Sequence, residues 1–279
     1  SDQAMSRYEH VFHPLKMRNM TMKNRLMFTP FVPSLVESEG FPTMDMLNFV
    51  RMQARTGVSN IVMGSIVDPD RKMCCHADLD FLEDKFVPCL CLVADEAHKY
   101  GSNISYEVCH SGRGWIPSMG PLVREDSSGS GGDIPPVESI CNDMTRDDMD
   151  SMIEQFVSTS KRALKSGFDE IFLHVCHNNL LGAFMSPMTN HRTDEYGGSL
   201  ENRMRFPVEV IKALRKAMGE KYLLVVNAPN IGGDMGMDMD EAAEFLRAID
   251  PYIDLLQVRG QHPDHERVTV CESAELSKG

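Results

Sequence analysis

Apolar positions along the 279-residue chain follow two alternating rhythms. Short apolar or β-branched runs predict strands over residues 25–29, 60–63, 103–108, 171–175, 223–226 and 253–258. Longer stretches with apolar residues three and four apart predict helices over 44–56, 86–99, 203–218 and 240–249. A further helix opens at Thr145, which with Asp148 makes a capping box, and Met149, Met152, Ile153, Phe156, Val157, Ala163 and Leu164 then recur on one face until Gly167. Residues 111–144, dense in Gly, Ser and Pro, predict a long irregular excursion, and long loops in compact domains usually carry function.

Strands alternating with helices imply an α/β fold of βα units around a parallel sheet. Six such units suit either a doubly wound sheet or part of an eight-stranded (β/α)8 barrel. Neither GxGxxG nor GxxxxGK[ST] follows any strand, and GGDMG at 232–236 lacks the spacing, so the barrel is favoured. No internal repeat breaks the chain, and residues 1–279 are expected to form one barrel-type domain of about six βα units.

Charge narrows the partners. Lys and Arg number 28 against 41 Asp and Glu, a net charge of −13 that argues against a nucleic-acid surface and for small-molecule ligands. The longest apolar runs, such as 222–226, fall far short of the ~20 residues that span a bilayer. No apolar signal core opens the chain, so a cytoplasmic location and no membrane partner are expected. Eight cysteines (74, 75, 89, 91, 109, 141, 176 and 271) contain no CxxC pair, and Cys74, Cys75, His76, Cys89 and Cys91 match no zinc spacing; reduced thiols and no metal site are expected.

The most specific stretch is 167–206, GFDEIFLHVCHNNLLGAFMSPMTNHRTDEYGGSLENRMRF. It resembles the old yellow enzyme family and the related dienoyl-CoA and bile-acid flavin reductases, which carry a GFDxxxxH strand, an FxSP turn and NxRxDxYGGSxxNRxRF. Asn190, Arg192, Asp194, Tyr196, Gly197, Gly198, Ser199, Asn202, Arg203, Arg205 and Phe206 fill that last pattern. HPLKMRNMTMKNRLMFTPF resembles the family's first strand and EVCHSGR (107–113) its third. The similarity runs from Phe12 to about Gln257.

That resemblance implies a barrel binding FMN at the C-terminal strand ends, with NAD(P)H as reductant and hydride passing through the flavin to an activated alkene. It implies His174 and His177 as the pair that binds the substrate carbonyl. It places Thr29, Pro30, Phe31, Val32, Ser65, Glu107 and Asn227 around the flavin. Four positions depart from the family. Glu107 stands for a Gln and Asn227 for an Arg at the flavin's pyrimidine edge, which replaces donors and positive charge with an acceptor and a neutral amide. Asn179 stands for the proton-donating Tyr, and an amide is no acid near neutral pH; Tyr106 and Cys109 are nearby alternatives. Val32 stands for a hydrogen-bonding Thr or Cys.

Two other functions therefore stay open: a barrel without flavin acting as a structural or regulatory subunit, and a strand-end site of Glu107, His110, His174 and His177 for metal or acid–base chemistry. After Val258 only 21 residues follow, too few for two more βα units. A parallel sheet cut short leaves apolar edges. Another chain, an oligomer interface or a rearranged tail (259–279) is expected to cover the gap.

Overall fold

A computed structural model describes residues 8–18, 20–31, 33–37, 39–66, 79–110, 112, 140–176, 179–227, 237–261 and 267–273, with backbone alone for residues 65–66, 259–261 and 267–273. The chain enters through a short helix, α1 (Glu9–Phe12), and an antiparallel hairpin, β1 (Leu15–Met17) and β2 (Met20–Met22). The predicted alternation then unfolds in order: β3 (Met27–Phe31), α2 (Met44–Arg55), β4 (Asn60–Ile66), α3 (Val87–His98), β5 (Asn103–Cys109), α4 (Arg146–Lys165) and β6 (Glu170–Leu173). It continues through α5 (Leu180–Met185), α6 (Leu200–Met218), β7 (Leu223–Asn227), α7 (Met239–Ile249), β8 (Leu255–Gln261) and β9 (Arg267–Ser273).

Strands β3 to β8 pair in parallel, in sequence order, and form a half-barrel. Beyond β8, the tail strand β9 pairs antiparallel over seven residues, from Leu255↔Ser273 to Gln261↔Arg267. The rearranged tail is thus what satisfies the backbone of the β8 edge. At the opposite end of the sheet order, β3 has β4 as its single strand partner among the described residues.

Strand pleating sends alternate side chains to opposite faces, and the two faces differ in kind. Outward, Ile61, Met63, Ile104, Tyr106, Val108, Ile171, Leu173, Leu224 and Val226 pack on Val50, Leu90, Phe156, Phe206 and Phe245 of the helices. Tyr106 is fully buried there and stacks on Phe81 at 4.0 Å, so it is core rather than a proton donor. Inward, Val62, Phe172, Leu223, Val225 and Leu255 gather on Met17 and Met22, so the hairpin closes the end of the half-barrel where these strands begin. Three-residue strands carry too short a pattern to be read from sequence, which is why β1 and β2 were not expected.

The expected capping box of α4 forms, with the Thr145 hydroxyl accepting from the Asp148 N–H and the Asp148 carboxylate accepting from the Thr145 N–H. Residues Ile140–Asn142, inside the span expected to be irregular, make a 3-10 turn with Ile140 and Cys141 buried. The predicted fourth strand is displaced: β6 stops at Leu173, one residue before His174.

The family-like stretch builds a hydrogen-bonded knot between α5 and α6. Asn190 donates to the carbonyls of Phe184 and Tyr196, both at 2.8 Å. Arg192 donates to those of Cys141 and Met144 and to the Asp194 carboxylate. Asn202 and Arg203 cap the carbonyls of Gly197 and Gly198, and Arg203 reaches Met185 and Glu241. A Cβ on Gly197 would collide with the Arg192 carbonyl, so only glycine fits the turn. Ser199 caps α6 by accepting from the Asn202 N–H.

Candidate functional site

Beyond the end of β6, the His174 N–H still donates to the Val108 carbonyl at 3.1 Å, which holds the residue in line with the strand. Its ring is almost entirely buried, and three neighbours surround it. Glu107 Oε1, from β5, lies 2.7 Å from Nδ1; Asn227 Nδ2, from β7, lies 3.1 Å from the same nitrogen; Cys176 Sγ lies 3.5 Å from Nε2.

One nitrogen cannot both donate to Glu107 and accept from Asn227. The Asn227 amide cannot flip to resolve this, because its oxygen accepts from the Val175 N–H at 2.6 Å. The shorter, charge-assisted contact wins, and Nδ1 keeps its proton for Glu107. Burial opposes charge on the ring, yet the bonds to Cys176 and Glu107 and the charges of both raise its pKa to about 10. Its partners therefore hold His174 toward the protonated form against the cost of burial.

Glu107, His174 and Asn227 are thus brought together, as the sequence suggested, but facing one another. Thr29, Pro30 and Phe31 lie on β3, two strands from Glu107 in the sheet; Thr29 and Phe31 are exposed, and the Phe31 ring stacks on Phe49 at 5.9 Å. Ser65, on β4, pairs its backbone with Val108 of β5. Val32 and His177 lie outside the described residues, as do Cys74, Cys75 and His76. His110 is buried with its Nδ1 accepting from the Gly112 N–H at 3.1 Å. Among the described residues no three His, Cys, Asp or Glu side chains are grouped to hold a metal ion. Asn179 forms the N-cap of α5 without a side-chain cap bond.

Two inward features were not anticipated. On the starting layer of the sheet, Asn60 and Ser105 both donate to Glu170 Oε1, while Glu170 Oε2 has no partner among the described residues; burial lifts this carboxyl to about 7 against those bonds. At the other end, Gln257 stands beside Asn227 in register and two residues beyond the inward Leu255. Its side chain is fully buried and neither its oxygen nor its nitrogen has a partner among the described residues. Each buried, unpaired polar group costs about 1–3 kcal/mol. The signal was present in the sequence as one amide inside LLQV, a run otherwise apolar.

Parallel strands, helices packed outside and ionisable groups at the C-terminal strand ends define a barrel-type small-molecule enzyme scaffold. The chain belongs to the NADH:flavin oxidoreductase / NADH oxidase family, whose sequence profile matches residues 10–265. Members of this family are FMN-dependent oxidoreductases. The chain is 32% identical over 228 residues to NADH oxidase of Thermoanaerobacter brockii, covering 78% of this chain and 34% of that protein. It is 30% identical over 275 residues to NADPH dehydrogenase of Clostridium acetobutylicum, covering 96% and 79%. Among solved structures, 2-naphthoyl-CoA reductase with 2-naphthoyl-CoA shares the fold (TM-score 0.79, 23% identity, 91% of this chain and 41% of that one). An Old Yellow Enzyme from Pichia sp. AKU4542 aligns with a TM-score of 0.65 at 25% identity, over 78% and 60%. The chain therefore spans less than two thirds of three of these four relatives. No helix among the described residues is long and apolar enough to cross a membrane.

One feature of this rim fits a reduced flavin, which carries negative charge: the buried His174 ring, an N–H donor at a strand end.

Proposed function

We propose that this chain is the catalytic barrel of an FMN-dependent NAD(P)H oxidoreductase of the ene-reductase type, acting on an alkene activated by a carbonyl. The observation that carries the reading is the His174 ring, buried just beyond the end of a parallel strand with its Nδ1 2.7 Å from Glu107 Oε1. Bound FMN would supply the hydride relay between nicotinamide and alkene. His174 would polarise the carbonyl through Nε2, exchanging its long contact to Cys176 Sγ for the substrate oxygen, and an N–H donor in a dry site polarises a carbonyl strongly. Glu107 fixes the ring and keeps it protonated, and Asn227, pinned by Val175, limits how the ring can turn. His177, Thr29, Pro30, Phe31, Val32 and Ser65 complete the proposed site through the family likeness.

The purified protein is expected to be yellow and to bleach on addition of NADH or NADPH. His174→Ala should keep the colour while slowing reduction of an enone by about 100-fold, as loss of one such donor does elsewhere. Colourless protein that takes up no FMN contradicts the proposal.

A second reading, a flavin-free barrel with a structural or regulatory role, is favoured by one fact: Glu107 and Asn227 spend hydrogen bonds on His174 and Val175. Colourless protein supports it.

A further inference from the structure

The two nitrogens of the His174 ring are committed differently. Nδ1 lies 2.7 Å from Glu107 Oε1, and Asn227, anchored by the Val175 N–H, holds its amide nitrogen 3.1 Å from the same atom. That side of the ring is taken. Nε2 faces the Cys176 thiol, with Sγ 3.5 Å away, so a carboxylate, an imidazole and a thiol stand in a chain. A nitrogen that polarises a carbonyl must carry a proton, whereas a neutral imidazole has one N–H and Glu107 already holds it. Nε2 therefore needs a second proton, and among the described residues the group bonded to it is a thiol, which gives up a proton far more readily than a hydroxyl would. Transfer breaks the S–H bond, forms an N–H bond and leaves the net charge of the three groups unchanged. Burial opposes charge on the ring, and the bonds and charges of Cys176 and Glu107, in that order, favour it. Among the described residues these two are the ionisable groups that act on the ring, and β7 presents the neutral Asn227.

We propose that Cys176 is a positioning residue that acts through His174: its thiol gives Nε2 the second proton, and the thiolate left behind keeps it there, so that a substrate carbonyl meets an N–H rather than a lone pair. The carbonyl rests on the functional reading above; the proton pair does not. Val175, buried between the two residues and tied to β7 through Asn227, fixes their spacing. A substrate oxygen then takes over the bond at Nε2 while the thiolate charge stays beside the ring. Glu107 and Cys176 thus divide the work, one orienting the ring and the other loading it.

The first test needs neither flavin nor substrate. Nitrogen NMR of the histidine rings in the wild-type protein shows which ring atoms carry protons, and ultraviolet thiolate absorbance is read against Cys176→Ser, which keeps the shape and bonds Nε2 but does not ionise. The His174 ring should carry protons on both nitrogens near neutral pH, and the thiolate signal should be present in wild type and lost in His174→Gln. The second test follows reoxidation of the reduced, flavin-loaded enzyme by an enone across pH, by rapid mixing. Without the thiolate charge the ring releases its proton sooner, so in C176S the alkaline fall in rate should move down by about one pH unit or more. At lower pH the two rates should be close, whereas a merely structural role would slow the reaction evenly at every pH. A bare Nε2 in the wild-type spectra, or an alkaline fall that stays in place in C176S, overturns the assignment of Cys176; the wild-type spectra decide even where a variant fails to fold. Wild type that takes up no FMN overturns the functional reading instead, and with it the use made of this proton.

Discussion

Glu170 opens β6 and His174 follows its last residue, and burial works against the charged form of each. For Glu170 burial prevails over the bonds from Ser105 and Asn60, and the pKa rises from near 4.5 to about 7. For His174 burial is outweighed by Cys176 and Glu107, and the pKa rises from near 6.5 to about 10. Both groups hold a proton in the folded chain that the unfolded chain releases sooner, so both contribute stability that is lost as pH rises. Glu170's share is complete below about pH 4.5 and gone above about 7; that of His174 is complete below about 6.5 and gone above about 10. Urea unfolding across that range should show stability declining through both windows, with Glu170→Gln flattening the first and leaving the second. A wild-type chain that gains stability between pH 5 and 7 while E170Q does not would refute the Glu170 assignment. Sequence could place Glu107, His174 and Asn227 at strand ends, because motif spacing fixes the register. It could not show that they bind one another, since that depends on side chains from three strands whose closeness is set by sheet pairing. Gln257 and Cys176 were hidden for the same reason.

Elements governed by local rules were legible. The start of α4 followed from Thr145 and Asp148, and α2, α3, α6 and α7 from apolar spacing to within a few residues. Short pieces were not, among them the hairpin and the six-residue α5, whose residues are all buried and show no amphipathic stripe. The NxRxDxYGGSxxNRxRF stretch was legible as a family mark, yet its side chains serve the joint between α5 and α6 rather than the rim. Arg192 is the centre of that joint, bridging the Cys141 and Met144 carbonyls, 2.7 and 2.8 Å away, to Asp194. Arg192→Lys keeps the charge and loses the planar fork, which should cost about 2 kcal/mol of stability in chemical denaturation. Flavin uptake by the folded variant should be unchanged. Unaltered stability with lost uptake would instead move the motif to the ligand.

At the scale of the whole molecule, the difficulty of a half-barrel is its two edges. Backbone groups along an unpaired strand recruit other strands, and a buried parallel strand makes an apolar template. The chain answers at one side: β9 runs back along β8, from Gln261↔Arg267 to Leu255↔Ser273, so the last parallel strand is paired on both sides. A rearranged tail was one of three covers the sequence left open, and its form was not legible, because an antiparallel return is selected by an open edge far from any local signal. Removing N–H donors from β9 should reopen that edge. Val270 pairs opposite Val258 at the middle of the ladder, and Val270→Pro with Thr269→Pro would strip two successive N–H groups, one of which must face β8, while leaving the length of the chain intact. The double variant should associate in a concentration-dependent way by light scattering at protein levels where wild type shows no such dependence, and the far-ultraviolet signal of the helices should persist. If it instead scatters as wild type does, β9 is not what protects β8, and the cover for that edge must come from elsewhere in the chain or from a second molecule.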